Sequence, residues 1–167
     1  MAKEIERKFL VDPRKIKPIL DAAPRLRSLS QYYITSSKEL AIRLRMEDGH
    51  RVILAIKSGT NPMEMNEFEF DLPWDEYECR RKEMVGIEII KRRHYVDFDD
   101  RIWEIDVFLG ELEGLIVAEI ECDDAADITN LPDWVTTEVT FDTRFKNARL
   151  ALQGLNEIDL SKEGYNV

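Results

Sequence analysis

Through most of this chain, charged and apolar residues alternate with a period of two. That is the spacing of a β-strand, whose successive side chains point to opposite faces. Glu4-Ile5-Glu6-Arg7-Lys8-Phe9 opens the pattern, and Ile42-Arg43-Leu44-Arg45-Met46, Glu67-Phe68-Glu69-Phe70 and Glu104-Ile105-Asp106-Val107 repeat it. Sorted by face, one side carries Glu4, Glu6 and Lys8; Arg43 and Arg45; Lys57; Glu67 and Glu69; Lys91 and Arg93; Glu104 and Asp106; and Glu119 and Glu121. The other side carries Ile5, Phe9, Leu44, Ile56, Phe68, Phe70, Ile105, Ala118 and Ile120. A sheet with one solvated face also alternates. Its polar face, however, would mix signs with Ser, Thr, Asn and Gln. Here same-sign charges sit two residues apart on one strand, roughly 7 Å from each other, so each pair repels itself. Such pairs become stable around a guest that satisfies them. Carboxylates take a hard divalent cation, and guanidinium and ammonium groups take a polyanion.

The alternating segments fall at 4–11, 30–35, 39–46, 52–57, 67–72, 87–98, 101–108 and 115–122, with a short extra strand at 135–140. Asp48-Gly49 and Asp99-Asp100 mark tight turns between neighbours. Residues 58–62 and 109–114 read as loops. Asp12-Pro13 predicts a capped helix over 13–22, and Pro73 followed by acids predicts another over 73–84, ended by Gly86. A short helix is expected from Asp123 to Asp127, and a further one over 145–152, stopped by Gly154. About eight strands joined mostly by short turns form an antiparallel meander, the number that closes a small barrel. The expected class is α+β: a closed eight-stranded antiparallel β-tunnel with a charged interior and peripheral helices. At 167 residues the chain fits one domain over 1–167, with a core at about 3–152 and a polar tail.

A formal net charge of −10 makes the chain a poor non-specific partner for nucleic acid or anionic membranes. It leaves room for a local basic site. Two cysteines, Cys79 and Cys122, with no CxxC spacing, read as free thiols of a reducing compartment. Met1-Ala2-Lys3-Glu4 lacks a secretory apolar region, and no stretch approaches the roughly 20 apolar residues of a membrane helix. The expectation is a cytoplasmic protein. A homodimer is the commonest oligomer for such a chain, but no face marks one.

With the charged face turned inward, carboxylates and basic groups converge on one cavity. The guest that suits both is a metal-complexed polyphosphate. Magnesium binds oxygen and shares its ligands among a few carboxylates, waters and substrate phosphates, and arginines grip phosphate oxygens in pairs. The motifs that build this interior resemble those of the CYTH superfamily, the triphosphate tunnel metalloenzymes. Glu4-Ile5-Glu6-Arg7-Lys8 matches the ExExK signature. Arg43-Leu44-Arg45, Ile56-Lys57-Ser58-Gly59, Glu67-Phe68-Glu69, Lys91-Arg92-Arg93, Trp103-Glu104-Ile105-Asp106, Ala118-Glu119-Ile120-Glu121 and Arg144-Phe145-Lys146-Asn147 follow in order.

The resemblance implies a tunnel fold and hydrolysis, or in some members cyclisation, of a triphosphate with magnesium or manganese. It implies that Glu4, Glu6 and Glu121 bind the metal that bridges the substrate. Glu69 and Glu119 then become candidates for a second metal and, with Lys8, for the catalytic set around the attacking water. Lys8, Arg43, Arg45, Lys57, Lys91 and Arg93 become the phosphate-binding set. Glu67, Glu104 and Asp106 would hold those basic side chains in place. The segment carrying Arg144 and Lys146 resembles the helix that caps the tunnel. His50 and His94 fall outside the scheme, and Tyr32, Tyr33, Phe68, Phe70 and Trp103 are expected in the core.

The chain is short and shows no insertion for a base or for thiamine. The resemblance therefore implies hydrolysis of inorganic tripolyphosphate to diphosphate and phosphate. The other readings are a nucleoside- or thiamine-triphosphatase, an adenylyl cyclase of the family's class IV type, and a non-catalytic polyphosphate-binding module. The organic substrates would need an aromatic ring at the tunnel mouth, for which Trp74 and Tyr77 are the candidates.

Overall fold

The computed structural model describes residues 2–61, 64–123 and 130–164. Strands β1 (Ala2–Val11), β2 (Arg25–Ser36), β3 (Leu40–Glu47), β4 (Arg51–Asn61), β5 (Glu64–Leu72), β6 (Val85–Phe98), β7 (Arg101–Leu109) and β8 (Ile116–Glu121) form one antiparallel ring. Its order is β5-β4-β3-β2-β6-β7-β8-β1, closed by pairing of β1 with β5 through Ala2↔Glu67 to Ile5↔Glu64. A short ninth strand, β9 (Val135–Glu138), lies along β1. Closure removes every free sheet edge from the ring.

Local chemistry explains the turns. Asp48 and Gly49 have φ of 50° and 75°, and Asp99 and Asp100 have 52° and 57°. Two successive positive φ values match the twist of a tight hairpin. Helix α1 (Pro13–Ala22) starts where the Asp12 carboxylate accepts from the Arg14 N–H at 2.9 Å, with proline at its first position.

Three differences from the sequence expectation have physical causes. Residues 73–84 form only a four-residue α2 (Glu76–Cys79) and a 3-10 turn, Arg81–Glu83. In that segment Tyr77 alone is buried, so no apolar stripe holds a longer helix. The Arg80 and Arg81 side chains turn back onto Glu76, Glu78 and Glu88 instead. Residues 58–61 are not a loop: Ser58 pairs with Asn66 and Asn61 with Glu64, the ladder continuing past a bulge. Phe68 and Phe70 are not core. They are 41% and 52% exposed and belong to none of the apolar clusters, which on the outer face of β5 reach only Leu72. Tyr32, Tyr33 and Trp103 are buried as expected. The helix expected from Asp123 to Asp127 falls largely outside the described residues. The helix expected at 145–152 is α3 (Asn147–Gln153), preceded by a 3-10 turn, Thr143–Phe145.

The apolar residues form three clusters. One lies under α1, where Ile16 packs with Phe9, Trp103 and Trp134. A second places Tyr77 against Tyr32, Leu44 and Val52, and the Tyr32 hydroxyl donates to the Tyr77 carbonyl at 2.7 Å. The third contains Leu10, Ile89, Phe108 and Val117, packed against Leu150 and Ala151 of α3. These four strand residues sit two positions beyond Lys8, Lys91, Asp106 and Glu119, on the same face. The interior therefore changes along the strands from charged to apolar, and α3 seals the apolar end. At Gly86 (φ 72°) a Cβ atom would lie 2.0 Å from the Ala151 carbonyl oxygen, so the close seat of α3 on β6 requires glycine.

Candidate active site

The charged face turns inward. Nine of the ten candidate site residues with described side chains line one cavity of about 1170 Å3: Glu6, Arg43, Arg45, Lys57, Glu69, Lys91, Arg93, Glu119 and Glu121. The tenth, Lys8, lines a narrower recess that continues it and reaches Glu119 at 3.0 Å. Glu4 lies in β1 opposite Met65, but its side chain is outside the described residues.

Two ion-pair groups occupy the walls. On β1, β6, β7 and β8, Arg93 is the hub. Its guanidinium donates to both Asp106 oxygens at 2.7 and 2.8 Å, to Glu119 at 3.1 Å, and to Glu104. Lys91 pairs with the same Asp106 carboxylate. On β3, β4 and β5, Arg43 and Lys57 share Glu67 at 3.3 and 3.6 Å, and Arg45 reaches Glu69 at 3.0 Å. Glu47, which sequence reasoning did not single out, holds Arg27, Arg45 and Arg51 at the end of β3. Its place two residues beyond Arg45 is the signal that would have found it.

The interior is poised for charged guests of both signs. In the β1–β8 ladder Glu6 lies directly opposite Glu121, and in the β7–β8 ladder Glu104 lies opposite Glu119. Directly opposed like charges repel. Arg93 bridges the second pair, while Glu6 makes no ion pair among the described residues. Two facing carboxylates supply what magnesium takes from a protein when phosphates complete its shell. No group of three or more metal-ligating side chains is preassembled among the described residues. Facing oxygen donors from Glu6 and Glu121 fit a hard divalent ion. For the anion, Gln31 Nε2 and Arg43 Nε are buried donors without a hydrogen-bond partner among the described residues, and both residues line the cavity. Phosphate oxygens would satisfy them.

Electrostatics set the protonation states. Burial alone would raise the Glu119 carboxyl, but Lys8 and Arg93 outweigh it and hold the group well below its usual range. Asp106 is likewise lowered, as Arg93 and Lys91 overcome burial. Glu104 moves up because burial exceeds the help of Arg93. Burial pushes the Lys91 ammonium down to about 8; Asp106 opposes this, while Arg93 adds to it. The unfolded chain thus binds the extra proton between about 8 and the ordinary 10.5, so ligand-free stability rises with pH across that window. A bound polyanion favours the ammonium form. Affinity for a triphosphate should therefore fall as pH rises through about 8, with proton uptake on binding. A KM–pH profile checks this, and Lys91→Arg, which stays charged, should flatten it.

The two proposed mouth aromatics lie elsewhere. Trp74 is exposed at 66% and Tyr77, within α2, is buried; neither lines the cavity. Tyr95 and Phe98 line its wide end instead. Tyr95 shares a face with Lys91 and Arg93, so the period of two already marked it.

A closed ring of eight antiparallel strands around this interior defines the class: the chain belongs to the CYTH domain family, whose model matches residues 2–151. It is similar to the inorganic triphosphatase of Acetivibrio thermocellus, 33% identical over 156 residues that cover 90% of this chain and 94% of that one. The inorganic triphosphatase of Nitrosomonas europaea is 34% identical over 153 residues, covering 89% and 97%. The crystal structure of the inorganic triphosphatase NE1496 superposes with a TM-score of 0.62 at 32% identity, covering 91% of this chain and 96% of that one.

Proposed function

We propose that this chain is an inorganic triphosphatase, which hydrolyses tripolyphosphate to diphosphate and orthophosphate. The observation that carries the reading is the interior itself: opposed carboxylates and basic groups alternate around one cavity, inside a family whose similar members are inorganic triphosphatases. Arg43, Arg45, Lys57, Lys91 and Arg93 would bind the phosphate oxygens, releasing part of their present pairing with Glu67, Glu69 and Asp106. Those carboxylates then remain as struts that aim the basic groups. Glu6 and Glu121, with Glu4 two residues before Glu6, would hold a magnesium or manganese ion. That ion, when bound, neutralises charge on the bridging phosphates. Glu69 and Glu119 would orient an attacking water. Water adds to the terminal phosphorus, the phosphoanhydride bond breaks, the leaving diphosphate oxygen takes its charge toward Lys8, and the water's protons stay on the orthophosphate or pass to solvent. Positioning and charge stabilisation suffice, with no covalent intermediate.

Among the described residues no helix is long and apolar enough to cross a membrane. Cys79 and Cys122 are both free, which suits a reducing, cytoplasmic setting. The substrate is tested by offering tripolyphosphate, ATP and thiamine triphosphate side by side, with magnesium, manganese or EDTA. Tripolyphosphate should be preferred by at least about tenfold in kcat/KM, and EDTA should stop turnover. Diphosphate appearing from ATP without orthophosphate would overturn the reading in favour of a cyclase.

A further inference from the structure

Gln31 of β2 is an uncharged side chain among the acids and bases that every strand of the ring sends into the cavity. Register sets its place. Gln31 lies opposite Arg45 on β3 and opposite Ile89 on β6. Leu29, the preceding residue on the same face of β2, lies opposite Lys91. Gln31 therefore meets the cavity between two cations of the expected phosphate-binding set, Arg45 on one side and Lys91 on the other.

Gln31 is 1% exposed, and its Nε2 is a buried donor with no hydrogen-bond partner among the described residues. Buried polar groups in folded proteins almost always find a partner, and a donor left without one costs stability. An unpaired donor at the wall of a ligand cavity is explained by a ligand that accepts from it. The acceptor must be an oxygen or a like atom, and the cations on both sides select an anionic one. Neutrality has a physical reason as well. Burial, then Arg43, lowers the Arg45 guanidinium from its ordinary range, and Arg93 adds to the effect of burial on Lys91. A further cation between them would deepen that repulsion. An amide supplies a donor without it.

We propose that Gln31 is a substrate-binding residue of the tunnel, its side-chain amide donating to a phosphate oxygen of the triphosphate between Arg45 and Lys91. The proposal rests on the triphosphatase reading and adds a neutral member to its phosphate-binding set.

The test measures calorimetric binding of tripolyphosphate in EDTA to wild type, Gln31→Met and Gln31→Glu, at low and at high salt, with urea midpoints to confirm folding. Gln31→Met keeps the length of the side chain and removes the donor. It should weaken binding about tenfold, as the loss of one hydrogen bond to a charged group gives. The factor should be the same at both salt concentrations, because no charge is removed. Gln31→Glu sets a carboxylate against the phosphate. It should weaken binding by at least about a hundredfold at low salt, and high salt should recover part of that loss. Binding by Gln31→Met within about twofold of wild type overturns the proposal. So does a loss in Gln31→Met that shrinks as salt rises, since that would mean a displaced Arg45 or Lys91 rather than a missing neutral contact. Gln31→Glu binding as tightly as wild type overturns it too. Absence of turnover in wild type that still binds tripolyphosphate would count against the triphosphatase reading alone, since the binding comparison needs no catalysis.

Discussion

Glu6→Gln should leave the fold intact and lower metal-dependent tripolyphosphate turnover by on the order of 10^3, equivalent to about 4 kcal/mol of transition-state stabilisation. The two halves of this expectation come from one geometric fact. Glu6 faces Glu121 directly across the β1–β8 ladder and makes no ion pair among the described residues. In the free protein Glu6 opposes Glu121 but also attracts Lys8, so neutralising it should change the urea midpoint little. With metal and triphosphate present the same charge becomes necessary. Steady-state turnover and urea unfolding of one purified variant check both halves. A variant with near-normal turnover would remove Glu6 from the metal site.

Arg93→Met should have a different profile on stability. Arg93 joins Asp106, Glu119 and Glu104, three carboxylates from two neighbouring strands. Without it, Glu104 and Glu119 face each other in the ladder with no shared cation, and Asp106 keeps only Lys91. Breaking a buried pair by removing one partner costs about 3–5 kcal/mol, because a buried charge is left uncompensated. The same variant should lose turnover through the missing phosphate contact. Arg93→Lys should recover only part of the stability, since a compact ammonium cannot reach three carboxylates as a planar fork can. Urea unfolding of the pair measures this. A loss below about 1 kcal/mol for Arg93→Met would show that water already screens the hub.

Much of this architecture is legible in residue parity. The alternation that separates Glu6 and Lys8 from Ile5 and Phe9 places them on opposite faces in the structure as well. Lys8 opposite Glu119, Lys57 opposite Glu67 and Arg93 opposite Asp106 follow once the register is known. The register itself is not local information. It depends on β1 closing the ring with β5, sixty residues away in sequence. For that reason the same-sign pairs reveal a charged interior but not which carboxylate serves which cation. The apolar seal was also written in parity, as Leu10, Ile89, Phe108 and Val117 continue the inward face. Its role emerges only when α3 packs on it. Propensity misleads most at 73–84, where cap-like residues promise a helix that has no apolar face to bury. Phe68 and Phe70 mislead for the converse reason: alternation assigns them a face, but only packing decides whether that face is covered.

The most direct test of the central claim is a 31P NMR time course of tripolyphosphate with the wild-type protein and magnesium. Diphosphate and orthophosphate should appear in equal amounts as tripolyphosphate is lost, and EDTA should stop the loss at once. Tripolyphosphate that persists unchanged with magnesium or manganese, while still binding the protein, would contradict the hydrolase account and leave a tunnel that only binds polyphosphate.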